Sequence, residues 1–384
     1  MKKTTTCLFV FLFIISAGCD TASNSKQQEA WDTQNAPSLF NVSEMVRYNQ
    51  IPTSARVTGE NTPWSGSYWP SYVGGIANRW QVDESSSSYL EDHLDETLNR
   101  EEFANLTYEN STILSPAEKY DYITGDASFS VFEHVKRSMR RYTDGEGKIP
   151  TWYGICDGWA AASFNELEPK CAVDHTIGDR TVNFTPSDIK ALISYAYTKS
   201  RYKTNFMGSR CEEDTIIREN GRAVSSACRD TNPASFHLTV TDYIANRNES
   251  FVAEVTNSSE VWNHPVTEYN FKYSALRKVP KNRRNRARFR NIAPGTKYLV
   301  NVDLYLTYAT ETAPSTTAVD LLENYANYTY TLELDKNYFI IGGEWTSKKH
   351  PDFLWRPSTK PEGNAGGVDI ELIRELIEKS HNCL

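Results

Sequence analysis

The segment 151–164, TWYGICDGWAAASF, places Cys156 between a glycine-containing turn and an alanine-rich run that favours a helix. A thiol at a helix N-terminus lies near the positive end of the backbone dipole, which favours the thiolate, the nucleophilic form of cysteine. The pattern therefore predicts that Cys156 is a nucleophile. The alternatives are a disulfide partner or an inert cysteine in the core.

A thiol nucleophile needs a base that takes its proton and an acceptor that orients the base. His237 begins the alternating stretch FHLTVTDYI, which predicts a strand, and Asn263 lies in VWNHPV, just past the next predicted strand. We therefore predict a triad of Cys156, His237 and Asn263, with Asp242 as the alternative third member. Two other histidines are alternatives for the base: His175 and His350.

The cysteine count supports an unpaired Cys156. Of seven cysteines, Cys7 lies in the N-terminal apolar segment, and Cys19 is a candidate for lipidation. An exported protein usually pairs its remaining cysteines, so an odd number leaves one free. We assign Cys156 as the free one and expect two disulfides among the other four, in any of three pairings. Those four are Cys171, Cys211, Cys228 and Cys383.

The N-terminus has the pattern of an export signal. Two lysines precede the apolar run 8–15, and small residues end at Gly18, so residues 1–18 are interpreted as a signal peptide. Cys19 directly after them resembles the lipobox of bacterial lipoproteins, whose N-terminal cysteine carries lipid; a plain secretory signal is the alternative. We expect an exported protein, either secreted or lipid-anchored at the bacterial cell envelope, with Cys19 as its only membrane attachment.

Composition limits the classes of partner. A hydrophobic content of 39% supports a sizeable core, and a net charge of −8 gives no reason to expect nucleic acid. The basic run 281–290 is interpreted as a solvated hairpin edge.

The pattern of elements indicates an α+β fold in which a helix carrying the cysteine packs on an antiparallel sheet. Residues 19–60 are polar and are interpreted as a tether or pro-segment, and residues 61–384 as one catalytic domain with C-terminal strand and helix elaborations. Capping signals at Ser115 and Thr185 predict helix starts. Strands are predicted at 236–244, 250–255, 297–308 and 328–335, and a helix at 368–378.

Six blocks between residues 64 and 355 resemble the elicitor transglutaminases of oomycetes and marine bacteria, in that family's order. They are YWPSYVGGIANRW (68–80), TWYGICDGWAAASF (151–164), VNFTPSDIKALI (182–193), NPASFHLTV (232–240), VWNHPVTEYNFKY (261–273) and IIGGEWTSKKHPDFLW (340–355). The resemblance implies a papain/transglutaminase-like cysteine core with Cys156 as nucleophile. His264 stands where we expect glutamine in this family, and Asp157 stands where animal transglutaminases carry tryptophan.

The activity implied by the resemblance is that of a protein-glutamine γ-glutamyltransferase. Cys156 would form a thioester with a protein glutamine, and a lysine or other amine would take the acyl group. The partners expected are proteins with exposed Gln and Lys. Three tryptophans are candidates for a substrate-binding wall together with Trp64, although core packing is the alternative for each: Trp152, Trp159 and Trp69.

Two other functions share these sequence features. A papain-like secreted cysteine peptidase would use the same triad, and a non-catalytic surface lipoprotein would hold Cys156 in a disulfide. We expect no cofactor and no metal; calcium is left open, because no sequence motif supports it.

Overall fold

The structure is a computed structural model that describes residues 31–82, 87, 90–94, 100–210, 218–219, 222–223, 225, 230–255, 260–280 and 292–383. The predictions for the signal peptide, Cys19, Cys211, Cys228 and the basic run 281–290 lie outside these residues.

The helices are α1 (Arg100–Ala104), α2 (Tyr108–Ser111), α3 (Pro116–Thr124), α4 (Ser130–Arg140), α5 (Cys156–Ser163), α6 (Pro186–Lys199), α7 (Pro233–Thr241) and α8 (Ile370–His381). The strands are β1 (Ser54–Arg56), β2 (Val173–Ile177), β3 (Arg180–Phe184), β4 (Thr204–Gly208), β5 (Arg218–Glu219), β6 (Arg222–Ala223), β7 (Val252–Glu254), β8 (Asn263–Tyr273), β9 (Arg277–Lys278), β10 (Tyr298–Ala309), β11 (Glu323–Leu334), β12 (Ile340–Trp345), β13 (Phe353–Pro357), β14 (Asn364–Ala365) and β15 (Val368–Asp369). Short 3-10 turns occupy Pro37–Phe40, Tyr48–Gln50, Gly59–Asn61, Ser71–Val73, Gly75–Ala77 and Leu90–His93.

Nine of the described strands form one antiparallel sheet. Its order is β12-β11-β10-β8-β7-β13-β4, with β1 paired to β8 and β9 to β10. The strands β10 and β11 pair along their whole length, from Tyr298 opposite Leu334 to Ala309 opposite Glu323. Some neighbouring strands are far apart in sequence, such as β7 and β13, and their pairing brings distant segments of the chain together.

Two hydrophobic clusters fill the interior. The helix core contains α3, α4, α5, α6 and α8, while the sheet core contains α7, which packs on β12 and β11, together with residues of β8 and β10. The α5 helix packs closely on α6 and also contacts β8. The start of α5 is therefore held between the helix core and the edge of β8, which confirms the predicted α+β arrangement.

The predicted helix starts at Ser115 and Thr185 are confirmed. At α3, Ser115 Oγ accepts from the Glu118 N–H at 3.2 Å, and the Glu118 carboxylate accepts from the Ser115 N–H at 3.0 Å. The α6 helix begins with an equivalent capping box from Thr185 and Asp188. The C-terminal helix and the strands β7, β10 and β11 are also confirmed, with shifted bounds.

The strand predicted at 236–244 is wrong, because this segment is α7 followed by a π-helical turn (Asp242–Arg247). Asn232 caps α7 by accepting from the Ala234 N–H at 2.9 Å, and Pro233 occupies the first turn. All nine residues of α7 are buried. A helix that is buried on every side needs no apolar stripe with a 3.6-residue period, and the alternation of apolar and polar residues from Phe236 to Thr241 is also the pattern of a strand.

Residues 31–60, predicted as part of a polar tether, pack instead on the sheet core. Phe40 is fully buried, and its ring contacts Tyr243 and Phe251 edge to face. The strand β1 pairs with β8. The apolar residues that make these contacts are too few and too widely spaced to show a period in the sequence.

One of the two expected disulfides is found, and it joins Cys171 to Cys383. It ties the C-terminal end of α8 to the segment that follows α5. Cys156 is a free thiol, as the cysteine count predicts. Within the described ranges, none of the helices combines the length and apolarity that crossing a bilayer requires.

Candidate active site

Two glycines flank Cys156, and both are required by close packing. A Cβ at Gly154 would overlap the Tyr68 carbonyl oxygen, and the neighbouring Ile155 N–H donates to that same oxygen at 2.7 Å. A Cβ at Gly158 would overlap the Ser194 carbonyl of α6. The spacing G-x-C-x-G therefore fixes the turn before Cys156 and seats α5 tightly against α6.

The Cys156 sulfur lies against the start of β8. Asn263 Nδ2 is 3.5 Å from Cys156 Sγ, and the Val261 carbonyl oxygen is 3.9 Å from it. The Asn263 Oδ1 accepts from Trp355 Nε1 at 2.8 Å. Because its oxygen is engaged by Trp355 of β13, the Asn263 amide is oriented with its NH2 group toward the sulfur. The structure thus brings together Cys156 and Asn263, two of the three predicted triad members.

Burial raises the pKa of the Cys156 thiol to about 11, with the charges of Asp157 and Glu311 acting in the same direction and hydrogen bonds from Asn263 opposing it. The expected favouring of the thiolate by the helix N-terminus is therefore outweighed by desolvation. The resting side chain is a neutral thiol at neutral pH. A base is needed to make it nucleophilic.

His237, the predicted base, lies elsewhere. It sits on α7 in the sheet core, with Nδ1 2.7 Å from the Tyr330 hydroxyl and Nε2 3.0 Å from the Tyr273 hydroxyl. Burial lowers its pKa to about 3. Both ring nitrogens are thus occupied by tyrosines, and Cys156 belongs to the other cluster, the helix core. The expected placement failed because it required a strand at 236–244.

The alternative residues also have other partners. Asp242 accepts from the Arg247 and Asn246 side chains within the π-helical turn. His175 Nδ1 lies 3.0 Å from Lys379 Nζ, and His350 Nε2 lies 2.8 Å from Asp230 Oδ2.

A second buried histidine, His264, follows Asn263 directly on β8. Its Nδ1 lies 3.2 Å from the Ala309 carbonyl oxygen and 3.8 Å from Glu311 Oε1. Its ring also contacts Tyr308 and, edge to face at 6.4 Å, Trp159. Trp159 lies one turn after Cys156 in α5. The His264–Glu311 pair therefore adjoins the cysteine helix.

The contacts of His264 fix its tautomer. A carbonyl oxygen only accepts, so Nδ1 carries the proton that it donates to Ala309, and Nε2 is left unprotonated in the neutral ring. Burial lowers the pKa of His264 to about 4. The imidazole is therefore neutral near pH 7 and able to accept a proton at Nε2.

Glu311 is a buried carboxyl group whose Oε1 has no hydrogen-bond partner among the described residues. Burial raises its pKa to about 7. A carboxylate in this position stabilises an imidazolium at His264 more than a neutral ring. Sequence reasoning missed Glu311 and Trp355 because each comes from a segment distant from Cys156, and neither lies in a catalytic motif.

The tryptophans predicted as a substrate wall occupy three different settings. Trp159 and Trp64 are core residues, with Trp159 fully buried and its Nε1 donating to the Trp64 carbonyl at 3.2 Å. Trp69 is buried but lines a cavity of about 220 Å³ together with Gly154 and Ile155. Trp152 is half-buried and packs edge to face on Tyr153. Trp69 thus borders a cavity next to the cysteine turn.

In the described ranges, no three His, Cys, Asp or Glu side chains are grouped so that they could hold a metal ion.

Replacing Glu311 by glutamine is expected to stabilise the fold at alkaline pH. The buried carboxyl holds its proton up to about pH 7, whereas in the unfolded chain it ionises near its ordinary pKa of 4.5. Its contribution to stability is therefore full below pH 4.5 and is lost as the pH rises toward 7. A shift of this size corresponds to at most about 3 kcal/mol. Denaturant melts at pH 4 and pH 8 should show Glu311→Gln more stable than wild type at pH 8 only; equal differences at both values would contradict it.

The chain matches proteins of one family along nearly its full length. A family model described as Transglutaminase elicitor matches residues 32–383. The fold is similar to the crystal structure of the GP42 transglutaminase from Phytophthora sojae, with a TM-score of 0.65 and 26% sequence identity over 90% of this chain and 96% of that one. No curated protein matches the sequence. Because the family model covers far more than half of its residues, the chain belongs to the transglutaminase elicitor family.

Proposed function

We propose that this protein is a protein-glutamine γ-glutamyltransferase that forms isopeptide bonds through a thioester on Cys156. The observation that carries the proposal is the arrangement at the start of α5. There a free, unpaired thiol receives the Asn263 amide at 3.5 Å, and Trp355 orients that amide. A cysteine held only for packing needs no such oriented donor.

Acyl transfer would begin with deprotonation of Cys156. His264 Nε2 takes the thiol proton, and the sulfur attacks the γ-carbonyl carbon of a glutamine side chain. The C–N bond breaks, the proton returns to the leaving nitrogen, and ammonia departs. An amine then attacks the thioester, the C–S bond breaks, and the isopeptide forms. The thiol, the imidazole and the carboxylate supply every group that these reaction steps require, so no cofactor is proposed.

Two donors favour the charged intermediates. The Cys156 N–H lies in the first turn of α5, where backbone N–H groups have no partner within the helix, and it is proposed to donate to the oxyanion. The Asn263 NH2 faces the sulfur and stabilises the thiolate, the direction in which it shifts the Cys156 pKa. Its proposed role thus differs from the orienting role expected from sequence.

The base assignment rests on His264 and Glu311 rather than on His237. His264 is next to Asn263 in sequence and contacts the cysteine helix through Trp159, and the Glu311 charge acts on the Cys156 thiol. Taking up the thiol proton converts His264 to imidazolium 3.8 Å from Glu311 Oε1. Burial makes that charge pair stronger than it would be in water.

We further propose that the protein acts outside the cytoplasm. The Cys171–Cys383 disulfide is the supporting observation, since such bonds persist in oxidising compartments. Proteins with exposed Gln and Lys are the proposed substrates.

The test supplies a glutamine-containing donor peptide and a fluorescent primary amine to the purified full chain. Covalent incorporation of the amine, with one ammonia released per bond, supports the transferase. New peptide termini without incorporated amine would indicate a peptidase, and neither product would indicate a non-catalytic protein.

A further inference from the structure

We propose that the pocket beside Asp157 is the acyl-acceptor site and that the Asp157 carboxylate binds the ammonium group of the incoming lysine. This inference rests on the proposed transferase function. It assigns a substrate class to a cavity that the reaction at Cys156 leaves unexplained.

The pocket has a volume of about 400 Å³ and lies next to the nucleophile. Asp157 is the residue after Cys156, and Asn263 and Trp355 form part of the same wall. Those two residues form the hydrogen-bonded chain that ends at the Cys156 sulfur. A side chain bound in this pocket therefore lies against Asn263, the residue whose NH2 group faces the Cys156 sulfur.

Asp157 is a carboxylate without a cation partner. Its Oδ1 accepts from Thr198 Oγ1 at 3.2 Å, and no ion pair joins it to a lysine or arginine among the residues that the structure describes. Burial raises its pKa, as expected for a carboxyl group that lacks a counter-ion. A bound ammonium would supply that counter-ion beside the nucleophile.

Two basic side chains of the chain lie nearby. Lys199 contributes to the field at Asp157, but its Nζ lies over the Tyr195 ring at 5.4 Å and lines the other cavity, the one next to Ile155. Arg201 lines the acceptor pocket and is exposed to solvent. Neither forms an ion pair with Asp157, so the carboxylate remains available to a substrate cation.

The aromatic walls of the pocket match the four-carbon stem of a lysine side chain. Tyr202, Trp355 and Phe353 line it, and Phe206, 46% exposed, stacks on Phe353 with ring centroids 5.2 Å apart. Aromatic faces pack against a four-carbon stem and attract its terminal cation. A pocket with aromatic walls and one carboxylate thus matches a primary alkylammonium.

The protons and bonds of the second half-reaction, in which the amine attacks the thioester, are all accounted for at this site. The bound ammonium loses one proton to solvent, and the neutral amine attacks the thioester carbonyl carbon. The C–N bond forms and the C–S bond breaks, while the second amine proton passes through His264 to the Cys156 sulfur. No further reactant is needed.

The test compares two nucleophiles in wild type and Asp157→Asn at pH 7.5. Monodansylcadaverine carries an ammonium group, whereas hydroxylamine is neutral at this pH and forms a hydroxamate with the same thioester. Asp157→Asn is expected to raise the KM for monodansylcadaverine about tenfold, equivalent to about 1.4 kcal/mol, and to leave the KM for hydroxylamine unchanged. Asp157→Glu, which retains the charge, and Asp303→Asn, which removes an exposed carboxylate of β10 outside the pocket, should not raise the KM for monodansylcadaverine.

An equal KM change for both nucleophiles, or no change for either, would overturn the proposal. If Asp157→Asn fails to fold, the wild-type protein provides the test through the dependence of KM on salt. Raising the salt concentration from 50 to 500 mM should increase the KM for monodansylcadaverine alone. An equal increase in the KM for hydroxylamine would count against the site. Absence of transfer to either nucleophile in the wild type would show instead that the proposed function is wrong, and this inference with it.

Discussion

Cys156→Ala is expected to abolish incorporation of a labelled amine into a glutamine donor, with a loss of at least about 1,000-fold. The nucleophile forms the covalent intermediate, and no neighbouring group can replace its sulfur. The thiol is 8% exposed and sits at the start of α5, where alanine fills most of the same volume and favours the helix. The melting temperature should therefore change little while activity is lost.

The matched control is Cys171→Ala, which removes the Cys171–Cys383 disulfide and leaves the thiol at Cys156 intact. We expect it to lower the melting temperature and to retain transferase activity below that temperature. Initial rates and thermal melts of the three proteins measure both effects. Activity of Cys156→Ala within tenfold of wild type would refute the assignment of the nucleophile.

Short sequence patterns near Cys156 predict the turn and the helix that position its side chain. The glycines at 154 and 158 and the alanine run determine a tight turn and a close α5–α6 contact, and these are features that a short stretch of sequence encodes. The capping residues Ser115 and Thr185 likewise act within a few residues of their helices. Sequence reasoning succeeded where the physical cause was local.

The proposed base, His264, could not be predicted from such local signals. Choosing His237 depended on reading 236–244 as a strand, but the helix α7 is buried on all sides and therefore gives no amphipathic signal. Its two tyrosine partners come from β8 and β11, more than thirty residues away. A histidine that is buried for packing and one that is buried for chemistry look alike until their partners are known.

The contacts around Asn263 likewise could not be predicted from local sequence. Asn263, which the sequence predicts as a member of the triad, lies next to the Cys156 sulfur, but the partner of its oxygen, Trp355, lies 92 residues later. That contact depends on the pairing of β13 with β7, and β7 pairs in turn with β8. Sheet order joins these segments, and sheet order follows from the packing of the whole domain.

Two opposing effects act on the pKa of the Cys156 thiol. The position at a helix N-terminus favours a thiolate, but the site removes water from the sulfur, and desolvation is the larger effect. The Cys156 thiol and the His264 imidazole are therefore both neutral near pH 7. In the proposed mechanism the thiol is activated by the base, so the identity of that base is the most informative question to test.

His264→Gln is expected to lower kcat/KM for amine incorporation by at least about 100-fold, as loss of a general base does. Glutamine keeps a polar side chain of similar length at the Ala309 carbonyl but cannot accept the thiol proton. The wild-type rate should rise between about pH 4 and pH 7, as His264 and then Glu311 lose their protons. In His264→Gln the residual rate should lose this dependence, and added imidazole should restore part of the activity of His264→Ala.

His237→Gln provides the control, since it disrupts the contacts with Tyr330 and Tyr273 inside the sheet core. It should lower the melting temperature while leaving kcat per folded molecule within about threefold of wild type, because its ring nitrogens face tyrosines and not the sulfur. The folded fraction, measured by circular dichroism at the assay temperature, normalises the rates to folded enzyme. A large kcat loss in His237→Gln together with an unchanged pH profile in His264→Gln would return the base to His237 and would require α7 to move during catalysis.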